Sequence, residues 1–83
     1  MKKFSRDFAH HCLGWLGAVI LVAMYLLNSF GAVGVHNIWY QFANLLGAVC
    51  LIFYGVILKA HANVFVNLVW AVGAVVALIL ILV

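Results

Sequence analysis

The sequence predicts an all-α membrane protein with three transmembrane helices, and three observations support this prediction. Of its 83 residues, 71% are hydrophobic and only 6% are charged, whereas about a quarter of the residues in soluble domains are charged. Three apolar segments follow one another, each near the ~20 residues that span a hydrocarbon core. Short polar stretches precede and separate these segments. We therefore expect one membrane domain, residues 1–83, whose surroundings are the lipid bilayer.

The first element is a polar arm, residues 1–11, which we expect in the cytoplasm. Lys2, Lys3 and Arg6 lie in this arm and provide most of the net charge of +3. A basic arm before an apolar run is also typical of a secretory signal, but two more apolar segments follow here, which favours an uncleaved first helix. Because the basic charge is so confined, we expect no nucleic-acid partner.

Three helices follow, at about residues 13–33, 38–58 and 64–83. Backbone groups in lipid have no water to bond, so each segment must satisfy its own N–H and C=O groups as a helix. The sequence contains no proline to kink these helices. A glycine-containing connection, residues 31–37, joins the first two helices, and a short polar turn, residues 59–63, joins the last two.

The distribution of basic residues predicts the orientation in the membrane. With three spans, the amino terminus and the turn at residues 59–63 lie on the same side. Lys59 in this turn is the only Lys or Arg residue after Arg6, so all four lie on that side. The positive-inside rule makes it the cytoplasm and puts the carboxyl terminus outside. We expect a multi-pass protein of the bacterial inner membrane.

Few residues could carry chemistry, which excludes several classes of function. Asp7 is the only acidic residue and lies in the arm. Proton-coupled transporters depend on a carboxylate inside the membrane, so we expect neither proton coupling nor enzymatic activity. Cys12 and Cys50 are too few and too far apart for a disulfide framework. The four histidines lie near helix ends without a carboxylate close in sequence, so no metal site and no cofactor is expected.

The polar and amphipathic side chains inside the apolar segments have two interpretations. They are Tyr25, Asn28, Gln41, Asn44, Tyr54, Asn67 and Trp70. They could hold the helices together by hydrogen bonds worth roughly 0.6–2 kcal/mol each. Alternatively, they could line a cavity that binds a neutral solute rich in hydroxyl or amide groups, with an aromatic ring beside it. Both interpretations remain open at this stage.

Small residues spaced four apart predict where the helices approach closely. Gly14 pairs with Ala18, Gly47 with Ala43, and Gly73 with Ala77, each pair on one face of its helix. Such pairs let two backbones come close in lipid. We therefore expect Gly14, Gly47 and Gly73 at helix–helix contacts.

The second and third segments resemble those of the SemiSWEET sugar transporters, a family of short three-helix bacterial chains. Gly47 precedes Tyr54-Gly55 by the family's interval, and Asn67 follows Tyr54 by thirteen residues as in the family. The resemblance implies a three-helix bundle in the spatial order 1–3–2 and a parallel homodimer with a solute pocket on its axis. Asn67 would face this pocket, Asn28 would match the family's helix-one glutamine, and Gly55 would be structural.

Two further sequence features bear on the resemblance. The family's pocket tryptophan corresponds to Leu51, which leaves Trp70 as the candidate for a stacking ring. The runs Gly-Trp-Leu-Gly at residues 14–17 and Asn-Leu-Leu-Gly at residues 44–47 resemble a second family, small permease-like bacterial membrane proteins of unassigned role.

We predict a SemiSWEET-like transporter or facilitator of a small neutral, sugar-like solute, uncoupled from protons and acting as a homodimer. The candidate solute-binding residues are Asn67, Asn28, Asn44 and Trp70. The alternative is a structural or accessory membrane subunit without transport activity of its own. A holin-like pore former fits the size, but the charged carboxyl-terminal tail expected of such a peptide is missing.

Overall fold

Three α-helices form the computed structural model, which describes the backbone of residues 2–83 and the side chains of residues 7–83. The helices are α1 (Lys2–Ser29), α2 (Ile38–Ile57) and α3 (His61–Leu82). Each is long and apolar enough to cross a membrane, α1 through its segment Asp7–Ser29. The prediction of an all-α protein with three helices long and apolar enough to cross a membrane is confirmed.

The first helix both begins and ends earlier than predicted. Residues 2–11, expected as a separate arm, form the first turns of α1, which has 28 residues. At 1.5 Å per residue such a helix is ~42 Å long, so it exceeds a hydrocarbon core of ~30 Å. α1 ends at Ser29 because the backbone reverses at Gly31, which has a φ of 79°. This left-handed conformation is the usual helix stop, and glycine adopts it without strain.

The second helix is capped by its own preceding residue. Asn37 Oδ1 accepts hydrogen bonds from the backbone N–H groups of Trp39 and Tyr40, at 2.9 and 3.2 Å. These donors have no partner inside the helix, so an asparagine at this position stabilises the helix start. The local sequence therefore determines where α2 begins.

The turn between α2 and α3 is shorter than the polar stretch suggested. Lys59 has a φ of 57°, and the N–H of Ala60 donates to the carbonyl of Gly55 at 2.8 Å. This is the same left-handed helix stop as at the end of α1, with lysine where glycine is usual. α3 begins at His61 rather than at residue 64, so most of the polar stretch belongs to its first turn.

The second helix lies in the middle of the molecule. It packs against α1 on one side and α3 on the other, whereas α1 and α3 have no Cα atoms within 8 Å of each other among residues 2–83. The spatial order is therefore 1–2–3, and the order 1–3–2 implied by the SemiSWEET resemblance is wrong within this chain. The reason is that α2 presents close-packing residues to both neighbours, as described below.

Small residues form the buried part of the chain, and large apolar side chains point outward. The buried hydrophobic residues are Ala48, Cys50, Ala71, Ala74 and Leu78. Side chains as large as Trp15, Phe65 and Leu80 are more than half exposed. Helices that pack through small residues and expose large apolar side chains to hydrocarbon are typical of membrane bundles. The chain thus has a thin core and an apolar outer surface.

Candidate functional site

Glycines bring α1 into direct contact with α2. A Cβ atom added at Gly17 would lie 2.8 Å from the backbone oxygen of Gly47 and 2.9 Å from the Cβ of Cys50. A Cβ at Gly47 would lie 2.9 Å from the Leu21 side chain. The Leu21 side chain could shift, but the Gly47 backbone oxygen could not, so at Gly17 only glycine allows this approach. At the same interface, Gly14 faces the Tyr54 ring, 2.5 Å from where its Cβ would be.

A pair of asparagines connects α3 to the other side of α2. The Asn63 side-chain amide donates to the backbone oxygen of Leu51 in α2 at 3.2 Å. Asn67, one turn further along α3, donates to both the backbone oxygen and Oδ1 of Asn63, at 2.9 Å each. Gly55 makes room for this contact, because a Cβ there would lie 2.8 Å from Asn63 Nδ2. Asn67, which is 5% exposed, therefore has its side-chain amide bonded within its own helix.

Two amides fix the connection between α1 and α2 to the helix ends. Asn28 Nδ2 donates to the backbone oxygen of Val33 at 2.8 Å. Gln41 Nε2 donates to the backbone oxygen of Val35 at 2.7 Å. These bonds satisfy backbone carbonyl groups of the loop and fix its course against the ends of α1 and α2.

At the opposite end of the molecule, His11 meets Tyr54. The imidazole Nδ1 and the phenol oxygen are 2.8 Å apart, and the two rings pack edge to face with centroids 5.7 Å apart. This end carries the start of α1 and the turn with Lys59, and we call it the basic end. The contact shows that the start of α1 and the end of α2 lie at the same level.

A polar cleft opens between α2 and α3 on the side away from the basic end. Its volume is about 310 Å³. Its lining residues are Val35, Tyr40, Gln41, Asn44, Val69, Trp70, Gly73 and Ala74. We call it the Asn44 cleft. It brings together Asn44 and Trp70, two of the four predicted solute-binding residues, and adds the amide of Gln41 and the phenol of Tyr40.

The Asn44 side chain is buried without a hydrogen-bond partner in the described part of the chain. The residue is only 4% exposed, yet its amide is absent from the side-chain hydrogen bonds formed within residues 7–83. No fully enclosed polar side-chain atom in this range lacks a partner. The small accessible part of Asn44 must therefore include its polar atoms, which reach the cleft. An amide in apolar surroundings costs several kcal/mol when it stays unpaired.

A second cleft, of about 270 Å³, lies between α1 and α3 and is almost wholly apolar. Its lining residues are Leu21, Val22, Tyr25, Val66, Asn67 and Trp70. Trp70 therefore borders both clefts, with Asn44 in one and Asn67 in the other. Asn28, the fourth predicted solute-binding residue, lines neither cleft.

The predicted packing glycines also separate into two groups. Gly14, Gly47 and Gly55 all lie where a side chain would collide with a neighbouring helix. Gly73 does not, because a Cβ there would meet no atom within 4 Å. It lies instead on the open wall of the Asn44 cleft.

Several residues of these contacts were missing from the sequence-based candidates. Gln41 precedes Asn44 by three residues and Asn63 precedes Asn67 by four, spacings that share a helix face and could have indicated both. Gly17 follows Gly14 by three residues and could have been found in the same way. Tyr40 carries no comparable signal, since an aromatic residue near a helix end is also typical of the membrane interface.

Comparison with known proteins gives a family but no function. A protein-family model matches residues 10–83, which is most of the chain. Neither the curated proteins nor the solved structures give a match to it. The SemiSWEET resemblance is not confirmed by these comparisons.

Proposed function

We propose a function for this chain from its own polar groups, because the chain belongs to a family of uncharacterised proteins. The proposed function is a membrane facilitator that binds a small neutral solute and works as a homodimer. The supporting observation is the Asn44 amide, which is 4% exposed, lines a cleft and has no hydrogen-bond partner among residues 7–83. A buried amide that is left unpaired costs free energy, and a solute with hydroxyl or amide groups would recover it.

The chemistry of the cleft favours a neutral solute with both donors and acceptors. Asn44 offers an NH₂ donor and a carbonyl acceptor, and Tyr40 offers a hydroxyl. Gln41 Nε2 is already bonded to Val35, so its oxygen remains as an acceptor. The Trp70 ring, which is 47% exposed, provides an apolar face beside these groups. Pockets with an apolar wall and a few convergent polar groups are typical small-molecule sites.

Transport driven by the solute gradient alone fits the distribution of charge. The single acidic residue, Asp7, and the four basic residues lie at positions 2–7 and 59. The walls of the Asn44 cleft therefore carry no carboxylate that could exchange a proton during transport. We expect solute flux that does not change when a pH gradient is imposed.

The basic end gives this facilitator an orientation. The start of α1 and the Lys59 turn lie at the same end, as the His11–Tyr54 contact requires. By the positive-inside rule, this end faces the cytoplasm of a bacterial inner membrane. The Asn44 cleft then opens in the outer half of the bilayer, and the carboxyl terminus lies outside.

The proposal is tested by thermal unfolding of the purified protein in the presence of neutral sugars, polyols and small amides. A solute present at 100 times its Kd stabilises the folded state by about 2.7 kcal/mol, a readable shift in melting temperature. Asn44→Leu should weaken binding about tenfold or more, because it removes a hydrogen bond from an apolar site. Asn28→Leu is the matched control, since it replaces an asparagine that lines neither cleft. It should leave the affinity unchanged.

Flux into proteoliposomes provides the second readout. A solute that shifts the melting temperature should enter vesicles containing the protein, and Asn44→Leu should slow its entry. The facilitator proposal fails if no solute stabilises the unmodified protein, or if Asn28→Leu and Asn44→Leu reduce binding equally.

An accessory membrane subunit is the second candidate, and a specific observation favours it. Asn28, Gln41, Asn63 and Asn67 all use their side-chain amides in hydrogen bonds within the chain. Most of the intramembrane amides thus hold the chain together, as they would in a purely structural protein. A flat solute screen on a stably folded protein would favour this candidate.

A further inference from the structure

Two features of the Asn44 cleft indicate what closes it. Within the part of the chain that the structure describes, Asn44 is a nearly buried amide without a hydrogen-bond partner. Gly73 forms part of the opposite wall, and no described atom lies within 4 Å of its potential Cβ. We infer that the cleft is covered by the same cleft of a second copy of this chain, with the two-fold axis parallel to the membrane normal. This inference deepens the proposed homodimer by naming its contact face, and it rests on the same site as the proposed function.

The depth of Asn44 in the bilayer favours a second copy over another partner. A covering helix must bring a hydrogen-bonding group to the level of Asn44, because lipid tails offer none. A two-fold axis along the membrane normal keeps identical residues at identical depth, so it brings one Asn44 opposite the other. A primary amide carries both donors and an acceptor and can pair with its own copy. In the empty dimer each Asn44 therefore has the other as its partner, and a solute bound in the enclosed chamber would take the place of this pairing.

The wall formed by α3 allows the copies to approach. Gly73 has no side chain, and the space in front of its Cα is open within one chain. A glycine on an open face lets the backbone of another helix come close, as in the small-residue contacts of membrane dimers. The contact between α1 and α2 shows that this chain already uses glycine in this way at Gly17 and Gly47.

Charge does not oppose this pairing. All five Lys, Arg and Asp residues lie at positions 2–7 and 59, so α2 and α3 contribute no charged side chain to the cleft. Two identical charged faces would repel in hydrocarbon, whereas two identical amide-bearing faces attract. The pairing would enclose a chamber with one Asn44 and one Trp70 from each chain. Asn67 would stay away from the axis, unlike the arrangement implied by the SemiSWEET resemblance.

Cysteine crosslinking in proteoliposomes tests which face is in contact. Cys12→Ser and Cys50→Ala remove the native thiols, and Gly73→Cys then places one thiol on the wall of the cleft. Val72→Cys is the matched control, one residue away and 56% exposed on another face of α3. Oxidation should yield crosslinked dimers of the Gly73→Cys protein and few or none of the Val72→Cys protein.

Energy transfer between labelled copies, measured over a range of lipid dilutions, gives the dimer dissociation constant. It tests the contributions of Gly73 and Asn44 without requiring two thiols to meet. Gly73→Leu should raise the dimer dissociation constant at least tenfold, whereas Val72→Leu should leave it unchanged. Asn44→Leu should raise it about 3- to 30-fold, the range that interhelical hydrogen bonds in membranes span. A Cβ at Gly73 would meet no atom of the described residues within 4 Å, and unfolding of the Gly73→Leu monomer checks that loss of the dimer does not reflect misfolding.

The inference is overturned if the unmodified chain stays monomeric at high protein-to-lipid ratio, or if Gly73→Leu associates as well as Val72→Leu. Solute binding, measured on the same samples, separates this outcome from failure of the facilitator proposal. A dimer through the Asn44 cleft that binds no solute would support the interface and contradict the function. A monomer that binds solute would support the function and contradict the interface.

Discussion

The two sides of α2 are built from different chemistry. Towards α1 the contact is made by glycines, with the Gly17 and Gly47 backbones so close that no side chain fits between them. Towards α3 it is made by asparagines, with Asn63 bonded to the α2 backbone and Asn67 bonded to Asn63. Clefts open along both interfaces, and the one on the α3 side, the Asn44 cleft, is distinguished by the buried Asn44 amide in its lining.

If the proposed function holds, this difference separates the structural part of the molecule from the part that binds solute. Close glycine contacts maximise van der Waals packing, which drives helix association in lipid. Hydrogen bonds at the first turns of α3 fix it near the basic end and leave room further along for the Asn44 cleft. We therefore expect substitutions on the α1 side to affect folding, and those in the cleft to affect binding.

The largest effect is expected for Gly17→Leu. Its Cβ would lie 2.8 Å from the backbone oxygen of Gly47, which cannot move aside as a flexible side chain could. Overpacking costs typically 1–3 kcal/mol, and we expect about 3 kcal/mol or more here because backbone is involved. Reversible unfolding in detergent, at a dilution that keeps the chain monomeric, measures this loss.

Gly73→Leu is the matched control for Gly17→Leu. Both changes replace a helical glycine with leucine and gain the same intrinsic helix propensity. Only Gly17 faces another helix within the chain, so Gly73→Leu should leave the monomer as stable as before or slightly more so. Equal destabilisation by the two substitutions would show that the close contact of Gly17 with Gly47 does not stabilise the packing of α1 against α2.

An intermediate effect is expected for Asn67→Leu. The substitution removes the two hydrogen bonds to Asn63, at 2.9 Å each, and frees Asn63 to leave the α2 backbone. We expect a loss of about 1–2 kcal/mol in the free energy of unfolding, with solute affinity at the Asn44 cleft retained. Val66→Leu, at an exposed neighbouring position, is the control. Loss of solute binding without loss of stability would instead make Asn67 a pocket residue.

The smallest effect is expected at the turn after α2. Lys59 has a φ of 57°, a left-handed conformation that costs an L-residue roughly 1–2 kcal/mol and glycine almost nothing. Lys59→Gly should therefore be more stable than Lys59→Ala by about 1 kcal/mol, with both variants lacking the lysine charge. At the end of α1, where Gly31 has a φ of 79°, Gly31→Ala should lower stability by a similar amount. Thermal unfolding of all three variants, compared with the unmodified chain, would show whether a side chain costs the same stability at position 59 as at position 31.

The sequence alone indicated the fold class, because composition and segment length decide whether a chain folds in water or spans a lipid bilayer. It also placed Gly14, Gly47 and Gly55 among the candidate packing residues, and Asn44 and Trp70 among the candidate solute-binding residues. The helix limits were less accurate. Residues 2–11 are helical because they continue the helix that follows them, not because they are hydrophobic. The early start of α3 depends on Lys59, which has a left-handed conformation that glycine normally takes.

Only the tertiary structure decided which intramembrane amide lacks a hydrogen-bond partner among residues 7–83. Asn44 and Asn67 look alike in the sequence, each an asparagine within an apolar segment. Asn67 lies one turn from Asn63 and is satisfied by it, whereas Asn44 lies near Gln41, which bonds to the loop instead. The order of the helices was likewise decided by packing, since α2 carries contact residues on both sides and therefore lies between α1 and α3. Local sequence determines whether a helix forms, but the pairing of its polar groups depends on what the other helices bring beside them.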